Sequence, residues 1–93
     1  MNSIKPEELV LEGSWITVSG NVVEDENCKR IWYVTSQILE KIGDSKDGWR
    51  QLFIDPKDNR LWELDFPHSD QHGGGPPRLS VVKKSDIEDN YNL

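Results

Sequence analysis

Two strand-like runs joined by a tight turn constrain the fold of this 93-residue chain more than any other feature. The runs are WRQLFI (49–54) and RLWELDF (60–66), and both are rich in aromatic and aliphatic residues. The linker DPKDN favours a turn, because Pro56 fixes its own φ angle and Asn59 tolerates left-handed geometry. The segment therefore predicts an antiparallel β-hairpin.

Flanking segments predict further strands. SWITVSG (14–20) alternates apolar with polar residues, and Val22 and Val23 can form a short returning strand after the turn at 19–21. RLSVV (78–82) predicts another strand. Residues 1–11 predict an arm that leads into the domain. Because 93 residues leave no room for a second domain, we expect one domain spanning 1–93.

One long helix is predicted over residues 25–43. Asp25 suits its N-cap, and Gly43 suits its end. Residues of one stripe recur at helical spacing: Cys28, Ile31, Trp32, Thr35, Ile38, Leu39 and Ile42. Ser85 and Glu88 match a capping box that begins a short C-terminal helix. The expected fold is α+β and mostly β: an antiparallel sheet of four or five strands, with the main helix on one face and the short C-terminal helix.

Strand alternation divides the sheet residues into two sets, because successive side chains point to opposite faces. An aliphatic-rich set suits the helix stripe: Ile16, Val18, Leu52, Ile54, Trp62, Leu64, Phe66, Leu79 and Val81. The other set combines aromatic with acidic side chains, chiefly Trp15, Trp49, Phe53, Glu63 and Asp65. Either an end of the chain covers this second face, or it is a protein-binding surface with an aromatic centre and an acidic rim.

The stretch HSDQHGGGPP (68–77) raises the question of catalysis. His68, Asp70 and His72 are potential ligands for zinc or iron, but all three fall within five residues and the sequence has no further histidine. Pro76 and Pro77 lack the N–H donors of a phosphate loop. The serines lack the flanking glycines of a nucleophile elbow, and Cys28 lies on the apolar stripe. We therefore expect no enzymatic activity and no cofactor.

The remaining role for this stretch is shape. Gly73, Gly74 and Gly75 allow positive φ angles and close approach of the backbone, and the two prolines fix an extended exit. His72 can hydrogen-bond across the loop and lock it. A rigid loop with few side chains can dock closely on a partner or pack on a tryptophan of its own sheet. The sequence leaves both possibilities open.

The net charge is −6, with 17 acidic and 11 basic residues. This balance disfavours binding to nucleic acid phosphates or to an anionic membrane, and it favours a basic protein partner. The single cysteine, Cys28, excludes an internal disulfide and fits a reducing compartment. The N-terminal residues lack the apolar run of a signal peptide. We therefore expect a cytoplasmic protein.

Several short stretches resemble one known family. They are GSW (13–15), CKRI (28–31), GW (48–49), DPKDNRLWEL (55–64) and PHSDQHGGGPP (67–77). In this order and at these separations they are similar to the immunity protein 27 family of bacterial polymorphic toxin systems, from about residue 5 to residue 82. Asn59 stands where the family usually has glycine, and His68 where it more often has glutamine, which weakens the metal interpretation.

The resemblance implies a small, largely β, cytoplasmic protein that is encoded beside a toxin and neutralises it by binding. Many such toxins are nucleases with basic clefts, which an acidic inhibitor can enter. Two alternatives remain. One is a metal-dependent enzyme or metal-binding protein that uses His68, Asp70 and His72. The other is a non-catalytic interaction module of another complex.

Overall fold

The computed structural model of this chain describes residues 4–67 and 75–91. Its elements are β1 Val10–Glu12, β2 Trp15–Val18, β3 Asn21–Glu24, α1 Glu26–Gln37, β4 Glu40–Asp44, β5 Gln51–Ile54, β6 Leu61–Asp65, β7 Arg78–Val82 and α2 Lys84–Ile87. Within these residues, five strands form one antiparallel sheet in the order β1-β7-β6-β5-β4, and β2 pairs with β3 separately. The predicted fold class is confirmed, as are the central hairpin and the strand over 78–82.

The main core lies between α1 and one face of the five-stranded sheet. Asp25 caps the helix as predicted, because its carboxylate accepts a hydrogen bond from the Cys28 N–H at 2.9 Å. The helix then turns Ile31 and Val34 towards the sheet, where both are fully buried. The complete buried cluster is Ile4, Leu11, Ile31, Val34, Leu39, Phe53, Trp62, Leu64 and Leu79.

The C-terminal segment covers the opposite face of the sheet. Ile87 of α2 and Tyr91 beyond it are buried against Leu52, with Leu61 and Val82 packed alongside. Of the two possibilities that the sequence left open for this face, coverage by an end of the chain is therefore the correct one for these residues. Both faces of the central strands are consequently removed from water.

The predicted helix over 25–43 is wrong in its last third. α1 ends at Gln37, and residues 40–44 form β4, which pairs with β5. Gly43 therefore does not end a helix, but lies in the strand next to a register irregularity. The apolar spacing of Leu39 and Ile42 fits either element, and pairing with β4 satisfies the backbone groups of β5 that would otherwise form an open edge.

The predicted division of strand faces is wrong for β5. Phe53 lies opposite Trp62 in the sheet register, so it belongs to the α1 face, whereas Leu52 and Ile54 belong to the other face. The prediction fails because the sheet is covered on both faces, by α1 on one and by the C-terminal segment on the other. Because Leu52 and Phe53 are both buried, apolar character does not indicate which of the two faces α1.

The predicted N-terminal arm takes part in the fold. Val10–Glu12 forms the edge strand β1, and Ile4 is buried in the main core. The Glu8 carboxylate receives two hydrogen bonds from the Arg30 guanidinium. Arg60 donates to three backbone carbonyls of residues 5–8. These contacts fasten the segment across the molecule.

The predicted start of the C-terminal helix is displaced. The N-cap residue is Lys83, not Ser85, and the Asp86 carboxylate accepts a hydrogen bond from the Lys83 N–H at 3.3 Å. An acidic residue at the third helical position thus satisfies the cap backbone. Ser85 is exposed within the first turn of α2.

Candidate protein-binding surface

Three chain connections leave the same end of the five-stranded sheet, which we call the loop end. The register places Glu12 beside Arg78 and Arg78 beside Asp65 at this end. The link from β1 to β2, the segment between β6 and β7, and the loop 45–50 between β4 and β5 all depart from here. The loop end therefore collects residues that are far apart in sequence.

A two-stranded ribbon, residues 15–24, begins at the loop end. Ser19 and Gly20 both have positive φ angles, 52° and 81°, as a tight two-residue hairpin turn requires. Every strand residue of the ribbon is exposed to solvent. Its large apolar side chains are Trp15, Ile16, Val18, Val22 and Val23. Among the described residues, this is the densest group of exposed large apolar side chains.

The base of the ribbon is fixed by close packing around Gly13. The Gly13 N–H donates to the Pro77 carbonyl at 2.9 Å, and a Cβ at Gly13 would lie 2.5 Å from the Cys28 Sγ. The Ser14 carbonyl accepts from the Asp25 N–H at 3.0 Å and from the Cys28 thiol at 3.3 Å. Burial raises the pKa of Cys28, as expected for the buried apolar residue that the sequence predicts.

Aromatic side chains lie beside the end of the ribbon. The Trp32 indole N–H donates to the Glu24 carboxylate at 2.7 Å, which connects the end of β3 to α1. The rings of Trp32 and Phe66 are 6.3 Å apart between centroids. Trp32 was predicted to lie on the buried stripe of the helix, but 37% of its surface is exposed, as is 41% of Tyr33.

Trp49 is exposed on the loop 45–50. The Asp47 carboxylate accepts hydrogen bonds from the Ser45 hydroxyl and, at 2.9 Å, from the Trp49 N–H. The hydrogen bond from Ser45 is the main cause that lowers the pKa of Asp47. The Lys46 N–H donates to the Asn90 carbonyl at 2.7 Å, so the loop is also tied to the C-terminal segment. The loop presents Trp49 on a fixed backbone.

The acidic-aromatic strand face predicted from the sequence does not exist as one surface. Trp15 and Trp49 are exposed at the loop end, but Phe53 is buried in the main core. Glu63 accepts a hydrogen bond from the Tyr91 hydroxyl at 2.8 Å, and Asp65 accepts two from Arg78 at 3.1 and 2.7 Å. These two carboxylates are therefore engaged within the fold and do not form a free acidic rim.

Most of the glycine-rich stretch lies outside the described residues. This applies to His68, Asp70, His72, Gly73 and Gly74. Gly75 is described, is buried, and has a φ angle of 77°, a positive φ that glycine adopts without the clash of a Cβ atom. Within residues 4–67 and 75–91, no three His, Cys, Asp or Glu side chains lie close enough together to hold a metal ion. No helix in this part of the chain is long and apolar enough to cross a membrane.

The ribbon is a surface that the sequence does not predict. Strand alternation places Ile16 and Val18 in the core-facing set, whereas the structure exposes both. One signal was present: Trp15 and Ile16 are adjacent, as are Val22 and Val23, so both faces of the ribbon carry apolar residues. That pattern also occurs in strands that are buried on both faces. An exposed ribbon can be told from such a buried strand only by its position outside the main sheet.

The ribbon lies within an acidic part of the chain. Between Lys5 and Lys29 the sequence has no lysine or arginine, and its acidic residues there are Glu7, Glu8, Glu12, Glu24, Asp25 and Glu26. Glu8 is paired with Arg30, and Glu26 lies 3.5 Å from Lys29. Glu12 and Glu24 are exposed on either side of the ribbon base. The sequence on both sides of the ribbon is therefore acidic, and in the sheet Glu12 lies beside Arg78.

The chain matches a known protein family. The family model described as Immunity protein 27 matches residues 17–83, from β2 to the residue after β7. No curated protein and no solved structure matches the chain.

Proposed function

Because the chain belongs to the immunity protein 27 family, we propose that it binds a toxin of the same bacterial system and neutralises it. The observation that carries the proposal is the family match, which spans β2 to β7. The protein acts by occupying a surface of the toxin and carries out no catalytic step. The apolar ribbon at the loop end supports binding, because exposed groups of large apolar side chains in small proteins mark interaction sites.

The charge of the chain supports a toxin with a basic surface. At −6, the protein attracts a positively charged partner and repels nucleic acid and anionic lipid. A nuclease fits this description, because its substrate cleft must attract phosphates. An acidic inhibitor held over such a cleft would exclude the nucleic acid. We place this binding in the cytoplasm of the producing cell, where a nuclease would otherwise reach its substrate.

Co-expression tests the proposal directly. The gene immediately upstream is expressed in a bacterial host from an inducible promoter, alone or together with this protein. We expect the upstream product to stop growth and this protein to restore it. A matched control is a variant with Leu52→Asp, which places a charge at a fully buried position and should abolish both folding and protection. A harmless upstream product, or one that stays lethal beside the wild-type protein, would contradict the proposal.

The nuclease assignment needs a separate measurement. The purified toxin is incubated with DNA and with RNA at increasing ratios of this protein. We expect degradation of one nucleic acid to cease near an equimolar ratio. If the toxin is neutralised in cells but cleaves neither substrate in this assay, the immunity function stands and the nuclease assignment is wrong.

A further inference from the structure

The ribbon is apolar on both of its faces. Because paired residues share a face, Trp15, Thr17, Val22 and Glu24 form one side, which we call the Trp15 face, and Ile16, Val18, Asn21 and Val23 form the other, the Ile16 face. Ile16 and Val18 are 45% and 51% exposed, and Val22 on the opposite side is 67% exposed. A ribbon that docks flat on a partner needs only one apolar face.

From this we infer that the ribbon inserts into a cleft of the partner, so that both faces are buried between two walls. The inference rests on the proposed function and adds the mode of binding. Burial on both sides also removes the exposed β-branched residues of both faces from water, whereas flat docking would do so for one face only. The open depression lined by Trp15, Val22, Val23 and Glu24 is one place where a side chain of the cleft wall can pack.

The backbone of the ribbon is suited to insertion because its base is already fixed. Gly13 is hydrogen-bonded to Pro77, Ser14 to Asp25, and the end of β3 is held by the bond between Trp32 and Glu24. A segment that is ordered before binding loses less conformational entropy on association than a flexible loop. The ribbon can therefore enter a cleft as a preformed wedge.

The acidic residues near the ribbon indicate which kind of protein provides the cleft. The ribbon itself contains no basic residue, and its base carries Glu12, Glu24 and Asp25. In a dimer of this chain, the acidic residues of the two copies would lie near each other, and their repulsion would weaken binding. A cleft with apolar walls and a rim of lysine or arginine complements both the apolar ribbon and its acidic base. We therefore assign the ribbon to such a cleft on the toxin and not to self-association.

Affinity measurements on three matched variants test the inference. Ile16→Thr alters the Ile16 face and Val22→Thr alters the Trp15 face, while Ile42→Thr changes a residue of similar exposure, 42%, on the edge strand β4. Threonine keeps the β-branched shape that strands favour, so the ribbon should stay folded. The dissociation constant for the purified toxin is measured for each variant, with circular dichroism as a check of folding.

Insertion predicts a loss of affinity of about tenfold for each of the two ribbon variants, and less than about twofold for Ile42→Thr. Loss at only one ribbon face would show flat docking and overturn the inference. Wild-type affinity in both ribbon variants would place the binding site elsewhere while leaving the immunity function intact. A dimer of the free protein that Ile16→Thr dissociates would assign the ribbon to a second copy and also overturn it. Failure of the wild type to bind the toxin would refute the proposed function itself.

Discussion

At the scale of single residues, Gly13 has no room for a Cβ atom. A Cβ there would lie 2.5 Å from the Cys28 Sγ and 3.1 Å from the Pro77 carbonyl oxygen. Neither neighbour can yield easily, because Cys28 is fully buried in α1 and Pro77 is fully buried before β7. Gly13→Ala should therefore lower the free energy of unfolding by roughly 1–3 kcal/mol, measured by urea denaturation.

Two further variants separate this cause from a general effect of alanine. Gly43→Ala is the matched control, since a Cβ at Gly43 meets nothing within 4 Å, and it should be neutral or slightly stabilising. In the Gly13→Ala/Cys28→Ala double variant the sulfur is gone. The double variant should lose less free energy of unfolding than the sum of the losses of Gly13→Ala and Cys28→Ala, by about 0.5 kcal/mol or more. If the two losses simply add, the Cys28 sulfur is not what excludes a Cβ atom at Gly13.

Glu8 makes stability depend on pH. Its hydrogen bonds from Arg30 lower its pKa from 4.5 to about 2. A carboxyl group with a lowered folded-state pKa stabilises the fold fully above its unfolded pKa and loses that contribution as the pH falls through about 2. Glu8→Gln should therefore cost roughly 1.5–3 kcal/mol at neutral pH, and the difference from wild type should shrink between about pH 5 and pH 2.

Urea denaturation at a series of pH values measures this difference. Glu7→Gln is the control, because it removes the same charge from the neighbouring residue, which is exposed and for which the described part of the chain shows no ion pair. Its effect should stay within about 0.5 kcal/mol at every pH. Equal effects of the two variants would mean that the bonds to Arg30 contribute nothing net.

At the scale of elements, the sequence predicts best where local chemistry and tertiary context agree. The hairpin β5–β6 and the strand β7 follow from β-rich runs and from turn residues, and Asn59 does adopt the predicted left-handed conformation at φ 63°. The boundary between α1 and β4 could not be predicted, because helical spacing of apolar residues continues through Leu39 and Ile42. The chain forms a strand there because β4 pairs with β5, and the local sequence does not indicate this pairing.

The candidate surface was only partly predictable for a similar reason. Strand alternation assigns Trp15 and Trp49 to the face that the sequence offers as a possible binding surface, and both are exposed. Phe53 was misassigned, since its burial depends on which face of the sheet receives α1. The proximity of Gly13, Cys28 and Pro77 requires knowledge of the register of β1 with β7, which the hydrophobic pattern does not contain.

The short helix α2 provides a test at this scale. Four residues are too few to be stable as an isolated helix, so α2 depends on its packing against the sheet. Ile87 is its buried contact, at 1% exposure against Leu52. Ile87→Ala should cost roughly 2–5 kcal/mol in urea denaturation, whereas Lys84→Ala in the same helix is exposed and should change little. A small effect at Ile87 would show that the second face of the sheet is stable without this cover.

At the scale of the whole molecule, the two ends of the sheet differ in character. The end opposite the loop end contains the β5–β6 turn, where Arg60 holds the N-terminal segment and pairs with Asp58 at 2.7 Å. Arg60 and Asp58 thus help to hold the fold together, while Glu40 at the same end is exposed. The loop end carries the apolar ribbon, Trp49 and exposed acidic residues. This polarity predicts that a basic partner approaches from the loop end.

Charge reversal at the two ends tests that direction of approach. Glu12→Lys and Glu40→Lys each replace one exposed acidic strand residue, and each changes the net charge from −6 to −4. Glu12 lies at the loop end, whereas Glu40 lies opposite Ile54 at the other end. Since charges close to an interface control the association rate, Glu12→Lys should lower the rate constant for toxin binding by about three- to tenfold at low salt.

Stopped-flow mixing with the purified toxin at two ionic strengths measures both variants. Glu40→Lys should slow association by less than about twofold, because its charge lies on the far side of the molecule. The difference between the association rate constants of the two variants should decrease as salt is added, since added ions screen the interaction of exposed charges. If Glu40→Lys slows association as much as Glu12→Lys, only net charge matters and the toxin does not approach the loop end selectively. If neither variant slows association, electrostatic attraction plays no part in recognition, and the proposal that the toxin has a basic surface is wrong.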